Sequence, residues 1–369
     1  MAVVSLQRCC NFIGQYNYVR KSMKIVIDEK IPYLRDALSA MGHRVVALPG
    51  VAISNEDVKD ATALFVRTRT ICNASLLAGS AVRFIGTATI GYDHIDAEYC
   101  AANGIKWINA AGCNADAVLQ YVQAVVYTWA KERSVTLPGL CLGIVGVGEI
   151  GSRIARWAAS EGMMLLLNDP PREATGEGGF VLLERIAAEC DIITFHPTLN
   201  RGGRYQSYHL ADDSFFAAMK RCRLFINASR GPVVDNKALL RAIDGNPALD
   251  AVLDVWEGEP GIDISLLNKV YIATPHIAGY SAEGKMNATR MVLAAFCNHF
   301  ACGHLMPQLA LPAPQQPLVQ APSFAGAVLK IYNPHNDSDV LKSEPQLFED
   351  LRNNYNLRRE VSAFDIKIE

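Results

Sequence analysis

Residues 144–151 read "IVGVGEIG" and place three glycines in the order Gly-x-Gly-x-x-Gly, at Gly146, Gly148 and Gly151. The motif alone is weak, but here it follows an apolar run typical of a buried strand and opens a segment, 149–162, with helical spacing of apolar residues. In that context the glycines allow a tight turn, a close backbone approach and close helix packing, with the helix N-terminus facing a negative charge. We therefore predict a dinucleotide-binding site that also includes Glu149 and Ile150.

The next apolar run, "MMLLLND", ends at Asp169. A carboxylate at this position accepts hydrogen bonds from the adenosine ribose hydroxyls of NAD and repels the 2′-phosphate of NADP. Arg172 lies close in sequence, so NADP is not excluded. The sequence favours NAD as the cofactor.

Apolar runs alternate with helical patterns on both sides of the glycine motif, which indicates parallel sheets covered on both faces. Five runs precede the motif and predict a small flavodoxin-like domain: "KIVIDE", "RVVALP", "ALFVRTR", "RFIGTA" and "KWINA". Six runs include or follow it and predict a doubly wound Rossmann domain: "CLGIVGVG", "MMLLLND", "DIITFH", "RLFINAS", "AVLDV" and "VYIATPH". The predicted fold class is therefore α/β, with two doubly wound parallel-sheet domains.

Helical patterns and a change of composition set the predicted domain bounds. A helix beginning near Asn114, a candidate N-cap, joins the two domains, and a helix from about residue 282 returns to the first. We predict a disordered extension at 1–22, a substrate-binding domain at 23–112 and 279–303, an NAD-binding domain at 113–278 and a small α+β domain at 304–369.

Within the last domain, "MPQLALPAPQQPLVQAP" has the composition of an extended linker, "AVLKIYNP" of a strand and "EPQLFEDLRNNYNLRRE" of a helix with an apolar stripe. So short a region is marginal as an independent unit, so we expect it to dock on another surface.

Composition narrows the possible partners and compartments. The net charge of −2 gives no electrostatic argument for nucleic acid or an anionic membrane, and no apolar run is long enough to span a bilayer. The ten cysteines are irregularly spaced, so we expect reduced core thiols in a cytoplasmic protein and no metal site. The first 22 residues lack an apolar signal core, so a tail is favoured over a transit peptide.

Three ionisable residues fall at or just beyond the ends of successive predicted strands: Arg230, Glu259 and His276. In an open α/β sheet the ligand crevice lies outside the carboxyl ends of the strands. Each residue alone has an ordinary explanation, as a solvated arginine, a turn acid or a core histidine. Together, beside a dinucleotide motif, they predict a catalytic group.

The segments "IVGVGEIG", "NASRG", "LDVWEGEP" and "TPHIAGY" resemble the D-2-hydroxyacid dehydrogenase family, and the likeness runs from about residue 23 to 300. The resemblance implies two α/β domains flanking a cleft, with Arg230 binding the substrate carboxylate and His276 as acid/base paired with Glu259. It also implies that Asp254 contacts the nicotinamide and that Ala228, Ser229 and Gly279 belong to the cofactor site. The segment "FHPTL" departs from the family's usual order, so no role is carried over to Pro197 or Thr198.

The chemistry of these residue types agrees with the implied roles. An imidazole exchanges protons near neutral pH, as oxidation of a hydroxyl requires, and a neighbouring carboxylate fixes its tautomer. A guanidinium offers a carboxylate two parallel donors, which an ammonium cannot do. Hydride transfer then depends on how the substrate is positioned against the nicotinamide.

Seven segments, among them "VRTRT", "GTATIGYDHID" and "NDPPR", narrow the resemblance to one branch of this family. That branch oxidises a phosphorylated four-carbon 2-hydroxy acid in vitamin B6 biosynthesis and forms homodimers through a C-terminal domain. The resemblance implies that Thr68, Thr89 and Tyr280 contact the substrate. Arg67 and Arg69 are the candidates for its phosphate. For Arg358 and Arg359, a position at a surface helix end is favoured over one that reaches the site of a partner subunit.

Two other functions remain open from the sequence. One is another activity of the same family, such as that of a phosphoglycerate dehydrogenase or a hydroxypyruvate reductase. The other is an NAD-sensing binding protein with little catalysis, which the intact set of Arg230, Glu259 and His276 disfavours.

Overall fold

The computed structural model describes residues 22–369 and contains three sheets, all of whose strands are parallel. The extension predicted at 1–22 lies outside the described residues except for its last residue. The α/β class predicted from the sequence is confirmed.

The first sheet has the strand order β2-β1-β3-β4-β5. Its strands are β1 (Lys24–Asp28), β2 (Arg44–Leu48), β3 (Ala63–Val66), β4 (Phe84–Thr87) and β5 (Lys106–Asn109). The intervening helices are α1 (Leu34–Ala40), α2 (Asn55–Val58), α3 (Ala74–Leu77) and α4 (Ala97–Ala102), with a 3₁₀ turn at Gly50–Ala52. This order is that of a flavodoxin-like sheet, as predicted, so the ends of β1, β3 and β4 lie side by side at one edge.

The second sheet has the order β11-β10-β9-β8-β6-β7. Its strands are β6 (Cys141–Val145), β7 (Met164–Asn168), β8 (Ile192–Phe195), β9 (Leu224–Asn227), β10 (Asp250–Leu253) and β11 (Ile272–Ala273). Its helices are α5 (Ala115–Glu132), α6 (Glu149–Ser160), α7 (Pro170–Glu173), α8 (Leu183–Glu189), α9 (Asp213–Ala218), α10 (Asn236–Gly245) and α11 (Ile264–Lys269), with a 3₁₀ turn at Gly231–Val233. All six predicted runs form strands.

The outer edge of β7 carries a single parallel bridge, between Leu167 and Phe180. A Rossmann sheet has a further strand at this position. Residues 174–182 contain three glycines and pair through one residue only, so that strand is reduced to a bridge. The sheet is therefore a Rossmann sheet with a shortened edge.

Two long helices connect the sheets. α5 is buried along most of its length and packs on the second sheet, and α12 (Ala282–His299) returns to the first, where Phe296 lies against Phe65 and Phe84. Both helices form where the sequence predicts them. Asn114 occupies the N-cap position of α5 but makes no side-chain capping bond, because its side chain lies against Gly279 instead.

The C-terminal region differs from the prediction in two places. The segment "AVLKIYNP" was predicted to be a strand but belongs to a helix, α13 (Phe324–Ile331), which Ser323 caps and whose Ala327 and Val328 are buried. The strand of this region, β12 (Leu318–Ala321), lies inside the predicted linker and pairs with β13 (Asp365–Ile368). A short apolar run does not distinguish helix from strand, since both bury such residues.

The second difference is at "EPQLFEDLRNNYNLRRE", which was predicted to be one helix. It forms a 3₁₀ turn at Pro345–Leu347 and a short helix, α15 (Phe348–Asn353), and then continues without regular structure. Three asparagines lie between 353 and 356, where the helix ends, and this residue type is disfavoured in helix interiors.

The C-terminal region packs on the second domain of the same chain. We expected such packing because the region is too short to be stable by itself. Val328 and Tyr332 join the hydrophobic cluster around α5. The helix α14 (Pro334–Ser343) lies along the edge strand β11, where the Ala273 amide donates to Ser338 Oγ at 3.0 Å and Lys342 Nζ donates to the Val270 carbonyl at 2.6 Å. These contacts cover a strand edge that would otherwise be open to pairing.

Eight cysteines within residues 22–369 are free and buried, as expected for core thiols. Over the same residues, no group of three or more potential ligands is arranged to hold a metal ion. None of the helices described is both long and apolar enough to cross a membrane.

Candidate active site

The glycine turn has the geometry that the motif predicts. Gly146 has a φ of +85°, and a Cβ there would lie 2.5 Å from the Pro197 nitrogen. A Cβ at Gly151 would collide with the Gly146 carbonyl, whereas a Cβ at Gly148 would meet nothing within 4 Å. Two glycines are thus required by close packing, and the third faces open space at the start of α6. The first N–H groups of α6 lack helical partners and can bind a phosphate group there.

A cavity of about 510 Å³, here called the cofactor cavity, extends from this turn. Its walls include Gly146, Gly148, Asp169, His196 and Leu210, and no lysine or arginine of the described part of the chain lines it. Arg172, whose position near Asp169 left NADP possible as the cofactor, is paired with Glu177. The cavity is therefore suited to an uncharged adenosine and lacks a cation for a 2′-phosphate.

Asp169 lies at the wall of the cofactor cavity, directly after β7. Its Oδ2 accepts a hydrogen bond from the Val147 amide at 2.8 Å and its Oδ1 one from the Arg172 amide at 3.2 Å. These bonds fix the carboxylate beside the glycine turn. Its placement fits the predicted contact with a ribose.

Glu259 and His276 form a hydrogen-bonded pair, with 2.8 Å between Glu259 Oε2 and His276 Nδ1. The Trp256 amide donates to the other carboxylate oxygen at 2.8 Å. Burial opposes ionisation of Glu259 and so raises its pKa. The hydrogen bond and the charge of His276 lower the pKa by more, and Trp256 and Arg352 add smaller effects in the same direction. The pKa of this carboxyl therefore lies below its usual range.

His276 has a φ of +59°, a conformation that residues other than glycine seldom adopt. Asp254 and its backbone hold it there: the His276 amide donates to the Asp254 carbonyl at 2.7 Å. Asp254 Oδ1 accepts from the Ile277 and Ala278 amides and from the Thr274 hydroxyl. Burial raises the pKa of Asp254. A conformation held this firmly is typical of residues whose side-chain direction matters for function.

Arg230 follows β9 at the carboxyl edge of the second sheet and points toward the first domain. Its Nη1 donates to the Ser229 carbonyl at 2.7 Å, and a Cβ added at Gly91 would lie 3.1 Å from Nη2. The loop that contains Gly91 also contains Thr89, whose hydroxyl donates to the Gly91 carbonyl at 2.8 Å. Arg230 and Thr89 therefore lie on opposite sides of one interdomain cleft.

Gly231 directly follows Arg230 and is required by packing, not by its backbone conformation. Its φ is not in the left-handed region, so the turn after Arg230 does not require glycine. A Cβ there would collide with the Trp256 carbonyl, so glycine is required by the close approach of two backbones. At Gly279 a Cβ would collide with a side chain, that of Asn114, and not with backbone.

The remaining predicted substrate residues lie at the carboxyl edge of the first sheet or face it. Thr68 is exposed in the turn after β3, and Arg67 and Tyr280 line a small pocket beside the catalytic pair. Arg69 does not line that pocket: its side chain is 63% exposed and pairs with Glu349. The structure therefore separates two arginines that the sequence treated alike.

Arg358 was expected at a surface helix end and is instead 8% exposed. Its guanidinium donates to the carbonyls of Ile277 at 2.9 Å, Ala117 at 3.0 Å and Ala278. Arg359 is half-buried and pairs with Glu283 at 2.6 Å. The C-terminal segment is thus bound to the residues that directly follow His276.

Two further contributors, Arg352 and His196, were not predicted from the sequence. Arg352 Nη1 lies 3.8 Å from Glu259 Oε2, the oxygen that also faces His276. His196 lines the cofactor cavity, and burial lowers its pKa to about 3, so its ring is neutral. The position of His196 after a strand was a usable signal, whereas Arg352 lies in a predicted helix but no local pattern indicates its contact with Glu259.

Comparison with known proteins bears directly on this site. Residues 114–278 match the NAD-binding domain of D-isomer specific 2-hydroxyacid dehydrogenases. The chain is 51% identical to the erythronate-4-phosphate dehydrogenase of Bacteroides thetaiotaomicron over 93% of this chain and 99% of that protein. It is 41% identical to the enzyme of that name from Porphyromonas gingivalis, over 93% and 95%.

Solved structures show the same fold at lower sequence identity. An NAD⁺-bound 3-phosphoglycerate dehydrogenase from Entamoeba histolytica superposes with a TM-score of 0.63 at 24% identity, over 79% of this chain and 99% of that one. The TT0316 protein of Thermus thermophilus superposes with a TM-score of 0.61 at 26% identity, over 76% and 96%.

Proposed function

Because this chain belongs to the family of erythronate-4-phosphate dehydrogenases, we propose that it oxidises carbon 2 of 4-phospho-D-erythronate to give (R)-3-hydroxy-2-oxo-4-phosphooxybutanoate. The protein is an NAD-dependent dehydrogenase, and the reaction belongs to the biosynthesis of vitamin B6. The observation that carries the chemical assignment is the 2.8 Å pair of His276 and Glu259 at the cleft. Neither a phosphoglycerate dehydrogenase nor a non-catalytic NAD sensor is favoured.

The pair is arranged to remove the hydroxyl proton. Glu259 is ionised because its pKa is lowered, and a carboxylate can only accept hydrogen bonds. His276 Nδ1 therefore carries the proton between them, which leaves Nε2 with a lone pair. Nε2 takes the proton from the substrate hydroxyl, and Glu259 stabilises the imidazolium that results.

Arg230 orients the substrate for this step. Its guanidinium holds the substrate carboxylate and polarises the oxygen at carbon 2. Thr68, Thr89 and Tyr280 bind the substrate from the facing side of the cleft. A bound NAD would supply the acceptor for the hydride at carbon 2.

The cofactor site comprises the residues predicted from the sequence. Its pyrophosphate part is the turn at Gly146, Gly148, Glu149, Ile150 and Gly151. Asp169 binds the adenosine ribose, and the nicotinamide end lies by Ala228, Ser229, Asp254 and Gly279.

The direct test is NADH formation, followed by absorbance, from 4-phospho-D-erythronate with the purified protein. We expect this acid to be used at a higher kcat/KM than 3-phosphoglycerate or glycerate. Turnover of 3-phosphoglycerate without turnover of 4-phosphoerythronate would contradict the proposal. Growth of a pyridoxine auxotroph that expresses this chain tests the pathway.

The domain bounds expected from the sequence carry over to this function: 23–112 with 279–303 binds substrate, 113–278 binds NAD, and 304–369 mediates homodimer formation. Support for a dimer comes from exposed apolar side chains at the small β12–β13 sheet, where Leu318 is 55% and Ile368 52% exposed. Light scattering after size-exclusion chromatography measures the mass of the assembly and so tests for a dimer.

The eight free thiols within residues 22–369 favour the reducing cytoplasm as the compartment.

A further inference from the structure

A small cavity of about 220 Å³, here called the cationic pocket, lies between the first domain and the C-terminal region. Four of its lining side chains carry positive charge, and they come from four separate segments. Lys30 follows β1, Arg67 follows β3, Lys285 belongs to α12 and Arg352 to α15. Within residues 22–369, no carboxylate lines it.

Lys285 is the most informative of these residues. Its ammonium lies 4.0 Å from the centroid of the Tyr280 ring, and within residues 22–369 it makes no salt bridge. Burial, with smaller effects from Arg67 and Arg352, lowers the pKa of Lys285 to about 8. Cations brought together in this way repel one another until an anion joins them.

The cationic pocket adjoins the catalytic pair. Arg352 lines it and also lies 3.8 Å from Glu259 Oε2, the atom that is 2.8 Å from His276 Nδ1. Tyr280 lines it and follows His276 closely in sequence. The cationic pocket is therefore joined to the catalytic pair through Arg352.

We propose that the cationic pocket binds the phosphate group of the substrate, with Arg67, Lys285 and Arg352 as its ligands and Lys30 at the rim. This inference rests on the proposed function, since it names the part of the site that recognises the phosphate. Guanidinium and ammonium groups are the usual donors to a phosphate dianion, and two arginines can each donate in parallel. The C-terminal region thereby takes part in substrate selection.

The structure also distinguishes this assignment from the one based on the sequence. Arg67 and Arg69 lie in the same turn, but only Arg67 lines the pocket. Arg69 is directed to Glu349 and solvent. Substitution of Arg67 should therefore weaken binding of the phosphorylated acid, whereas substitution of Arg69 should not.

The test compares 4-phospho-D-erythronate with D-erythronate, which lacks the phosphate. Lys285→Gln and Arg67→Gln each remove one charge and retain a polar side chain. We expect each to lower kcat/KM for the phosphorylated acid by about 10–100-fold, mainly through KM, since a hydrogen bond to a charged group contributes about that factor. For D-erythronate the change should stay within about threefold.

Arg69→Gln and Lys59→Gln serve as charge-matched controls, since both native side chains lie outside the pocket and pair with other acids. Both should change kcat/KM for either acid by less than about twofold. Equal losses for the two acids in Lys285→Gln and Arg67→Gln, or a loss in Arg69→Gln as large as in Arg67→Gln, would overturn the assignment. Thermal unfolding and NADH fluorescence establish that each variant is folded and binds cofactor.

Inorganic phosphate provides a second measurement. It should inhibit the wild-type protein competitively with 4-phospho-D-erythronate, and this inhibition should weaken in Lys285→Gln. Undiminished inhibition in that variant would place the phosphate elsewhere. If the wild-type protein does not prefer the phosphorylated acid at all, the proposed function fails; if it does and the variants keep that preference, only the pocket assignment fails.

Discussion

The cofactor cavity and the cationic pocket are built in opposite ways. The cofactor cavity is lined by residues between 145 and 210 of one domain and contains no lysine or arginine. The cationic pocket draws its charges from positions between 30 and 352 and has no carboxylate in its lining. The residues of the cofactor cavity thus come from one continuous stretch of the sequence, whereas the residues that select the substrate come from distant segments.

This difference predicts how substitutions should act. Changes in the catalytic group should affect every substrate, changes in the cofactor cavity should act through NAD, and changes in the cationic pocket should act through the phosphate. Each of the following variants tests one part of that separation.

The largest effect is expected for His276→Asn, which removes the proton acceptor. We expect kcat to fall by about 10³-fold for phosphorylated and unphosphorylated acids alike. NADH binding, measured by fluorescence titration, should remain within about twofold, since His276 does not line the cofactor cavity. Retention of a tenth of the normal kcat would remove His276 from the mechanism.

Arg230→Lys keeps the charge but loses the planar pair of donors. We expect kcat/KM to fall by about 100-fold for both acids, because both carry the carboxylate that Arg230 binds. Arg241→Lys, at an exposed arginine paired with Asp213, is the matched control. A loss confined to the phosphorylated acid would instead place Arg230 with the phosphate.

Asp169→Asn tests the cofactor cavity. The amide keeps one acceptor oxygen but loses the charge and one acceptor for the ribose hydroxyls. We expect KM for NAD to rise about 10-fold while the ratio of kcat/KM values for the two acids stays constant. A change in that ratio would show that the two regions are not independent.

The smallest effect concerns stability and pH. Glu360 is 4% exposed and accepts a hydrogen bond from Ser281 Oγ at 2.6 Å. Burial, with the charges of Glu283 and Asp116, raises its pKa to about 7 against the opposing effects of Ser281 and Arg358. The folded protein therefore holds this proton more tightly than the unfolded chain does. The resulting contribution to stability is complete below about pH 4.5 and is lost as the pH rises through 7.

Glu360→Gln cannot ionise and should abolish this dependence. We expect its unfolding midpoint at pH 8 to exceed that of the wild type by about 2–4 °C, with a smaller difference at pH 5. Calorimetry at the two pH values measures this. If the unfolding midpoints of the variant and the wild type differ by the same amount at pH 5 and at pH 8, the pKa of Glu360 is not raised.

The same contrast explains what could be predicted from the sequence. The strands of both sheets and the glycine turn were predictable because each depends on residues adjacent in sequence, as in β6 and α6. Arg230, Glu259 and His276 were identifiable because parallel strands bring their carboxyl ends to one edge.

The incorrect predictions share a different cause. Val328 and Leu329 lie in a helix that packs on the cluster around α5, a contact that no local pattern reveals. Arg358 is buried only because the carbonyls of residues 117, 277 and 278 surround it. Contacts between distant segments decided each of these cases.

The burial of Arg358 also has a consequence for how the protein is made. Its guanidinium is bound to the carbonyl of Ala117, which lies 241 residues earlier, and to those of Ile277 and Ala278, next to the catalytic histidine. During synthesis, domains fold as they emerge, and the earlier ones fold first. The glycine turn can therefore bind its cofactor on a growing chain, but the segment after His276 obtains its last bonds only when Arg358 has been translated. Cofactor binding should thus precede catalytic competence on the ribosome.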